Sequence, residues 1–384
     1  MPYAYANMGP KIYLVLPLPN CRSCVLLRDR VYQDRISYED MTEVACRSRI
    51  RMSHGTVAHI CNLLAHLEPR GTGGGHALPV RVKITVALNF FATGSFQSPS
   101  GDLCGISQAS VHRGIQEVTD GLSAVAGWFI DFPEDRAQQA AWASQFIKMA
   151  GILMVQGVVD GVHVNLRAPP RDRGVFINRK GAYSINVQVV CDQGMRIMHV
   201  CAQYPGNVHD AFILAQSFIP TIFEGHPPWM RGWLLGDMGY PLKPWLMTPI
   251  RRPQTNAERR YNEAHAATRD VVGRCFGLLK MRFRCLDRSG GALQYDPDRV
   301  GRIVLACCVL HNIAQQRGDV MEEEGAREAE EAANADHEEE EEGVVGEEEG
   351  GRAGGRRGID TIGARETAER PHDGTDWGGG HTMR

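Results

Sequence analysis

The stretch MVQGVVDGVHVNL, residues 154–166, decides the fold, because its apolar residues predict a buried strand that carries one acid, Asp160. Two more apolar stretches, 184–192 and 195–203, predict strands joined by a turn at Asp192-Gln193-Gly194. A fourth stretch, GWLLGD at 232–237, predicts a buried strand that ends at its aspartate. The middle of the chain is therefore expected to form a sheet.

Helical patterns follow these strands. In the segment 261–283 the residues of one predicted helix face recur at steps of three, four or seven, and the segment 302–316 is apolar nearly all round. Strands and helices around one sheet predict an α/β core. Within the first of these helices stands Gly273, at a position where glycine costs about 1 kcal/mol relative to alanine.

An all-helical region is predicted before this core. In it, Ser107 is a good N-cap for a helix whose buried stripe is Val111, Ile115, Val118 and Leu122. Helix, loop and second helix resemble a helix-turn-helix, a geometry that also occurs as plain scaffolding. If the module binds DNA, the outward-pointing polar residues of the second helix are expected to make the contacts: Gln108, His112, Arg113 and Gln116.

Charge divides the chain unevenly. The segment 319–349 has sixteen acidic residues and one basic residue, and 350–384 has six arginines and five acids. Because the whole chain carries −3, and these two segments carry −15 and +1, residues 1–318 carry +11. A basic body suggests a polyanion-binding surface for which the acidic tail competes, although the tail could serve solubility alone.

The predicted organisation has four parts: an irregular segment 1–35, a helical domain 36–150, a nuclease-type core 151–318, and a disordered tail 319–384, first acidic and then rich in glycine and arginine. Eleven scattered cysteines without a signal peptide favour a reducing compartment. Cys21 and Cys24 form a C-x-x-C motif, but no second pair stands at zinc-ligand spacing. No apolar run reaches the ~18 residues of a membrane span, so a soluble protein is expected.

Three acids stand at or beside the predicted strand ends: Asp160, Asp210 and Asp237. A carboxylate at the end of a buried strand is costly unless it is solvated, paired or bound to a cation. Converging acids make a hard-oxygen site suited to Mg²⁺ or Mn²⁺, and two such ions can support phosphodiester cleavage. The alternative is that each acid is an ordinary turn residue or a helix cap, as Asp210 could be for the helix that follows it.

Basic residues cluster in the segments that flank these acids, where they could supply salt-sensitive contacts to phosphate. Charge runs are more often solvated faces, but a purely solubilising role does not require this placement. The cluster comprises Arg167, Arg171, Arg173, Arg179, Lys180, Arg251, Arg252, Arg259, Arg260, Arg269, Arg274, Lys280, Arg282 and Arg284.

Several long motifs over roughly residues 35–318 resemble Harbinger transposase-derived nucleases, the relatives of PIF/Harbinger DDE transposases. They include GVVDGVHVNLRAPP, FINRKGAYSINVQVVCD, YPGNVHDA, WLLGDMGYPLKPWLMTPI and FRCLDRSGGALQY. The resemblance implies a ribonuclease-H-like core that uses acids to hold a divalent metal ion, Mg²⁺ or Mn²⁺, for phosphodiester hydrolysis of DNA. It also implies nuclear localisation and a separate Myb/SANT-like DNA-binding partner protein.

Carried over to this chain, the resemblance makes Asp160 the first acid and Asp210 the second, with Asp237 at a strand end where related DDE enzymes also place an acid. The family's final glutamate falls at Gly273, which has no ligand atom. Arg179, Lys180, Arg269, Arg274 and Lys280 are the expected nucleic-acid contacts. Three possibilities follow: an active nuclease whose site is completed by Asp237 or Asp270, a weakened DNA- or protein-binding descendant, or a non-enzymatic docking protein.

Overall fold

A five-stranded mixed sheet lies at the centre of the computed structural model, which describes residues 34–69, 77–95, 97–133, 135–225 and 232–319. The strands are β1 (Val155–Asn165), β2 (Ser184–Cys191), β3 (Ile197–Pro205), β4 (Trp233–Leu235) and β5 (Leu246–Met247). The first three correspond to the predicted strands. The predicted fourth strand ends two residues earlier than expected, so Asp237 follows β4, and β5 was not predicted.

The strand order in the sheet is β3-β2-β1-β4-β5. β2 pairs antiparallel with both β1 and β3, as the predicted turn at residues 192–194 requires. β4 pairs parallel with β1 on the other side, and β5 pairs parallel with β4. The chain therefore returns to the centre of the sheet after the hairpin, and this return brings the residues that follow β4 next to β1.

Ten α-helices surround the sheet in the described part of the chain. Six precede it: α1 (Glu43–Ile50), α2 (His54–Leu63), α3 (Val80–Thr93), α4 (Gln97–Cys104), α5 (Gln108–Ala124) and α6 (Arg136–Ala150). Four follow β3: α7 (Asp210–Gln216), α8 (Ile219–Glu224), α9 (Asn256–Arg282) and α10 (Pro297–Gln316). The mixed α/β architecture confirms the predicted α/β class, and the helix-turn-helix-like character of the N-terminal region stays a prediction.

The long helix α9 begins at a capping box, in which the Thr255 hydroxyl accepts from the Glu258 backbone N–H and the Glu258 carboxylate accepts from that of Thr255. It continues through Gly273 without a break. The predicted buried face comprises Tyr261, Thr268, Val272, Cys275, Leu279 and Phe283, and it is confirmed from Thr268 onward, whereas Tyr261 is half-buried.

Each face of the sheet packs against different helices. Val158 and Leu235 point into the core that contains α9 and α10. Their sequence neighbours Val159 and Leu234 point into a second cluster with α7 and α8. Successive strand residues face opposite ways, so this alternation fixes which side chains of β1 meet α9.

The N-terminal helices share the core of the sheet, and the predicted boundary at residue 150 falls between α6 and β1. Ser107 caps α5 as predicted, and the predicted stripe of α5 is fully buried. His112 does not point outward as expected: its ring is half-buried and contacts Arg299 of α10 at 3.1 Å and Gln97 at 3.2 Å. Gln108, Arg113 and Gln116 are exposed, and a role in DNA binding stays a prediction.

No helix in the described ranges is long and apolar enough to cross a membrane. Cys21 and Cys24 lie outside the residues that the structure describes, as do the predicted irregular N-terminal segment up to residue 33 and the predicted tail after Asp319.

Candidate functional site

The pairing of β1 with β4 brings two of the predicted acids to neighbouring positions. In this parallel ladder Val158 lies opposite Leu235. Asp160 comes two residues after Val158, and Asp237 comes two residues after Leu235. Asp160 is only 3% exposed, whereas Asp237 is half-buried just beyond the end of β4. The carboxylate of Asp160 accepts from the backbone N–H of Gly161 at 2.8 Å.

The third acid, Asp210, is the first residue of α7 and approaches from the opposite face of the sheet. Its Oδ1 accepts from Nδ2 of Asn186, on β2, at 2.6 Å. A Cβ atom added to Gly161 would lie 2.5 Å from the same oxygen. Residue 161 must therefore lack a side chain for the Asp210 carboxylate to sit against β1, next to Asp160.

Electrostatics tie the three acids together. Burial raises the pKa of Asp210, and the charge of Asp237 raises it further, against the hydrogen bond from Asn186. Burial also raises the pKa of the Tyr240 phenol well above its ordinary value, with contributions from the charges of Asp210, Asp160 and Asp237 in that order. Mutual repulsion between carboxylates is relieved by a bound cation.

The residues present fit a divalent cation, although they do not form a complete cage. In the described part of the chain, no three His, Cys, Asp or Glu side chains are grouped closely enough to hold an ion by themselves. Mg²⁺ commonly binds one or two carboxylates and keeps several waters. Two buried polar atoms of this region, the Tyr240 hydroxyl and Asn186 Oδ1, have no hydrogen-bond partner among the described residues, as a hydrated ion would require.

Helix α9 brings the positive charge of Arg269 to this site, but it carries no carboxylate at residue 273. Nη2 of Arg269 lies 3.6 Å from Oδ2 of Asp160. Gly273, one turn later, is buried and supplies no ligand atom, and Asp270 is exposed to solvent. The predicted alternative that Asp270 completes the site gains no support from this position.

The other predicted basic residues occupy different surroundings. Arg179 contacts the His209 ring at 2.9 Å, and its charge lowers the pKa of the neighbouring Asp210. Lys180 is exposed and Arg274 is half-buried. Lys280 lies nearer to Asp287, whose pKa its charge lowers. The structure thus brings Arg179 and Arg269 to the acids.

The prediction that Arg282 belongs to the basic surface is wrong, because this residue is 1% exposed and lies in the core. Its guanidinium donates to the backbone oxygens of Arg51, at 3.2 Å, and Asp319, at 2.6 Å. Burial lowers its pKa to about 10. It therefore cannot contact phosphate.

Two residues of this region were not predicted from the sequence, Tyr240 and Asn186. Asn186 had one available signal, because a polar residue in a fully buried strand requires a partner. Tyr240 had none beyond its place in the turn after Asp237, since its surroundings depend on where β4 lies in the sheet.

Comparison with known proteins agrees with this geometry. The family model described as DDE superfamily endonuclease matches residues 159–312, which run from β1 through α10 and include all three acids. The fold and the match therefore define the class: a chain with a DDE superfamily endonuclease domain at residues 159–312.

Similar proteins show which family within this class the chain belongs to. The protein named "Putative nuclease HARBI1" from Bos taurus is 42% identical over 285 residues, which are 74% of this chain and 81% of that protein. Its Homo sapiens counterpart is 41% identical over the same shares, and "Protein ALP1-like" from Arabidopsis thaliana is 27% identical over 69% of each chain. The chain belongs to the Harbinger transposase-derived nuclease family. No solved structure matches it.

Proposed function

We propose that this protein is a divalent-metal-dependent nuclease that hydrolyses phosphodiester bonds of DNA. The observation that carries the proposal is the parallel pairing of β1 and β4, which brings Asp160 and Asp237 to neighbouring positions, with Asp210 directly across Gly161. Such a group of carboxylates, partly buried, is suited to Mg²⁺ or Mn²⁺.

In this proposal the metal is held by one or two of the three acids Asp160, Asp237 and Asp210, with water completing its shell. A divalent ion bound there would supply activation of water and stabilisation of the leaving oxygen. Arg179 stands beside Asp210 and is exposed, so it can bind the phosphate next to the bond that is cleaved. Lys180, Arg274 and Lys280 would hold more distant parts of the backbone, where contacts contribute affinity rather than catalysis.

A second candidate function is a DNA-binding descendant with weakened catalysis. It is favoured by Gly273, which offers no oxygen, and by Arg269, which already neutralises Asp160 at 3.6 Å. Removing a carboxylate from a shared metal site weakens metal binding and slows the reaction. The basic body with its charge of +11 serves either candidate.

Action in the nucleus and association with a Myb/SANT-like DNA-binding protein belong to the same proposal. They rest on membership of the family and on the excess positive charge of residues 1–318. The third possibility, a docking protein without nucleic-acid binding, predicts no salt-dependent affinity for DNA.

The decisive experiment measures nicking of supercoiled plasmid by the purified full-length chain with Mg²⁺, Mn²⁺ or EDTA. We expect metal-dependent nicking that Asp160→Ala abolishes. Asp120→Ala is the matched control, since Asp120 is an exposed acid of α5 paired with Arg302 at 3.7 Å, and it should cleave as wild type does. Salt-dependent DNA binding without nicking would establish the second candidate, and the absence of both would leave the docking protein.

A further inference from the structure

Tyr240 closes the turn that follows β4 and contacts Asp237 through its backbone. Its backbone N–H donates to the carbonyl of Asp237 at 3.3 Å. Its ring covers Gly236, where an added Cβ would lie 2.9 Å from the ring atom Cδ2. The residue is 4% exposed. The phenol is therefore fixed in a buried position at the end of the sheet where the acids converge.

The hydroxyl of Tyr240 has no hydrogen-bond partner in the described part of the chain. Leaving a buried hydroxyl unsatisfied is costly, so buried tyrosines usually find a partner for it. A phenol with the ordinary pKa of about 10 is protonated at neutral pH. The hydroxyl is therefore a hydrogen-bond donor without an acceptor among the described residues.

A second unsatisfied atom belongs to Asn186, which contacts Asp210. Asn186 is 4% exposed, and both hydrogens of its amide are used, by the Val208 carbonyl at 2.9 Å and by Asp210 Oδ1 at 2.6 Å. Its Oδ1 has no donor among the described residues. Tyr240 and Asn186 thus present one unsatisfied donor and one unsatisfied acceptor among the described residues.

Water satisfies both atoms, because it accepts and donates, whereas a phosphate oxygen only accepts. Next to a group of carboxylates, ordered water is best retained in the shell of a small divalent cation, which keeps several waters when protein ligands are few. The two unsatisfied atoms therefore favour a hydrated divalent cation as the occupant of this site.

We infer that Tyr240 and Asn186 are positioning residues that hydrogen-bond the water shell of a divalent cation held by Asp210 and one further acid, Asp237 or Asp160. This inference rests on the proposed function, since it requires that a cation binds. It adds two uncharged groups that orient the ion without touching it. Outer-shell partners of this kind commonly change metal affinity when removed.

The test uses Tyr240→Phe in the full-length chain, with Mn²⁺ as the probe. Tyr261→Phe is the matched control, because the Tyr261 hydroxyl donates to the Thr248 carbonyl at 3.0 Å, away from the unmet atoms. Two quantities are measured for each protein: the Tm without metal, and the Kd for Mn²⁺ by calorimetry.

For Tyr240→Phe we expect a metal-free Tm equal to or up to about 4 °C above wild type, because an unsatisfied hydroxyl is removed, and an Mn²⁺ Kd about threefold to tenfold weaker. For Tyr261→Phe we expect the reverse, a Tm about 2–4 °C lower with an unchanged Kd.

Failure of this inference and failure of the proposed function give different results. If wild type binds Mn²⁺ and Tyr240→Phe binds it equally well, the inference alone is wrong. A lower metal-free Tm in Tyr240→Phe, or failure to fold, would show that the hydroxyl bonds to protein and would also overturn it. If wild type binds no Mn²⁺ at millimolar concentration, the proposed metal site itself is absent.

Discussion

The guanidinium of Arg269 lies 3.6 Å from the carboxylate of Asp160, an acid on the neighbouring strand that α9 covers. The Arg269 side chain is 20% exposed and that of Asp160 is 5% exposed, so the pair is largely removed from water. A buried carboxylate needs a counter-charge. Arg269 supplies one in the absence of metal, and for the same reason it opposes the binding of a metal cation at that carboxylate.

Replacing Arg269 separates these two effects. We expect Arg269→Gln to lower the free energy of unfolding of the metal-free protein by about 1–3 kcal/mol, because Asp160 loses its counter-charge. The same variant should bind Mn²⁺ about threefold to tenfold more tightly, since the competing positive charge is gone. Urea unfolding and calorimetric titration measure the two quantities.

Arg269→Lys keeps the charge and serves as the control, with both quantities expected close to wild type. Weaker Mn²⁺ binding in Arg269→Gln would contradict the competition and would show that the guanidinium orders the metal site instead.

The second prediction concerns Gly273, one turn after Arg269 on the buried side of α9. We expect Gly273→Glu to tighten Mn²⁺ binding at least tenfold and to raise metal-dependent nicking, because it adds a carboxylate to the helix that packs over Asp160. Replacing a helical glycine also removes a helix-propensity penalty of up to about 1 kcal/mol, which opposes any cost of burying the new side chain.

Gly277→Glu is the matched control, since Gly277 is also buried on α9 one further turn away. It adds the same charge and should improve neither metal binding nor nicking. Equal gains in both variants would mean that added negative charge, and no specific ligand position, is responsible.

The sequence could predict those parts of the molecule that depend on local patterns. The apolar runs around Asp160 gave strands at the right residues, and the repeat around Val272 gave the buried face of α9, because burial imposes a period on each kind of element. The shared edge of Asp160 and Asp237 follows from the parallel pairing of β1 and β4, whereas the metal site at that edge stays a prediction.

Contacts between distant residues could not be predicted in this way. Arg282 has the composition of a surface residue, yet the carbonyl of Arg51, far earlier in the chain, accepts from it in the core. His112 lies on the polar side of α5, yet its ring contacts Arg299 of α10. Both depend on tertiary packing, which local periodicity does not contain.

A third prediction concerns pH. His199, on the edge strand β3, is half-buried next to Phe132, and loss of solvent around its ring lowers its pKa to about 4. In the unfolded chain the imidazole takes up a proton near pH 6.5. Between these values the unfolded state binds the extra proton, so stability is full above about pH 6.5 and falls as the pH drops toward 4.

We expect His199→Phe to remove this loss. Between pH 7 and pH 4.5 wild type should lose roughly 1–3 kcal/mol more free energy of unfolding than the variant does. Urea unfolding at the two pH values measures the difference, with His66→Phe as a control at an exposed histidine. Equal losses of the free energy of unfolding in wild type and in His199→Phe would show that another group causes the loss of stability at acid pH.

The last prediction concerns Asp319, which fastens the end of the described chain to the junction of α1 and α2. Its carboxylate accepts from the backbone N–H and hydroxyl of Ser53, at 3.1 and 3.0 Å, and pairs with Arg47 at 3.1 Å. Burial opposes the charged form, but hydrogen bonds from Thr56 and Ser53 and the charge of Arg47 prevail and lower the pKa. The folded state therefore favours the ionised carboxylate.

A carboxyl with a lowered pKa stabilises the fold above its unfolded value of about 3.9, and this contribution is lost as the pH falls through the folded value. We expect Asp319→Asn to lower the free energy of unfolding by about 1–3 kcal/mol at pH 7. The gap between variant and wild type should close below about pH 4, where the wild-type carboxyl is also neutral. Glu43→Gln is the control, because Glu43 bonds to the same Arg47 at an exposed site and should cost less than about 1 kcal/mol. A gap that persists unchanged at low pH would mean that the shape of the side chain, and not its charge, anchors this segment.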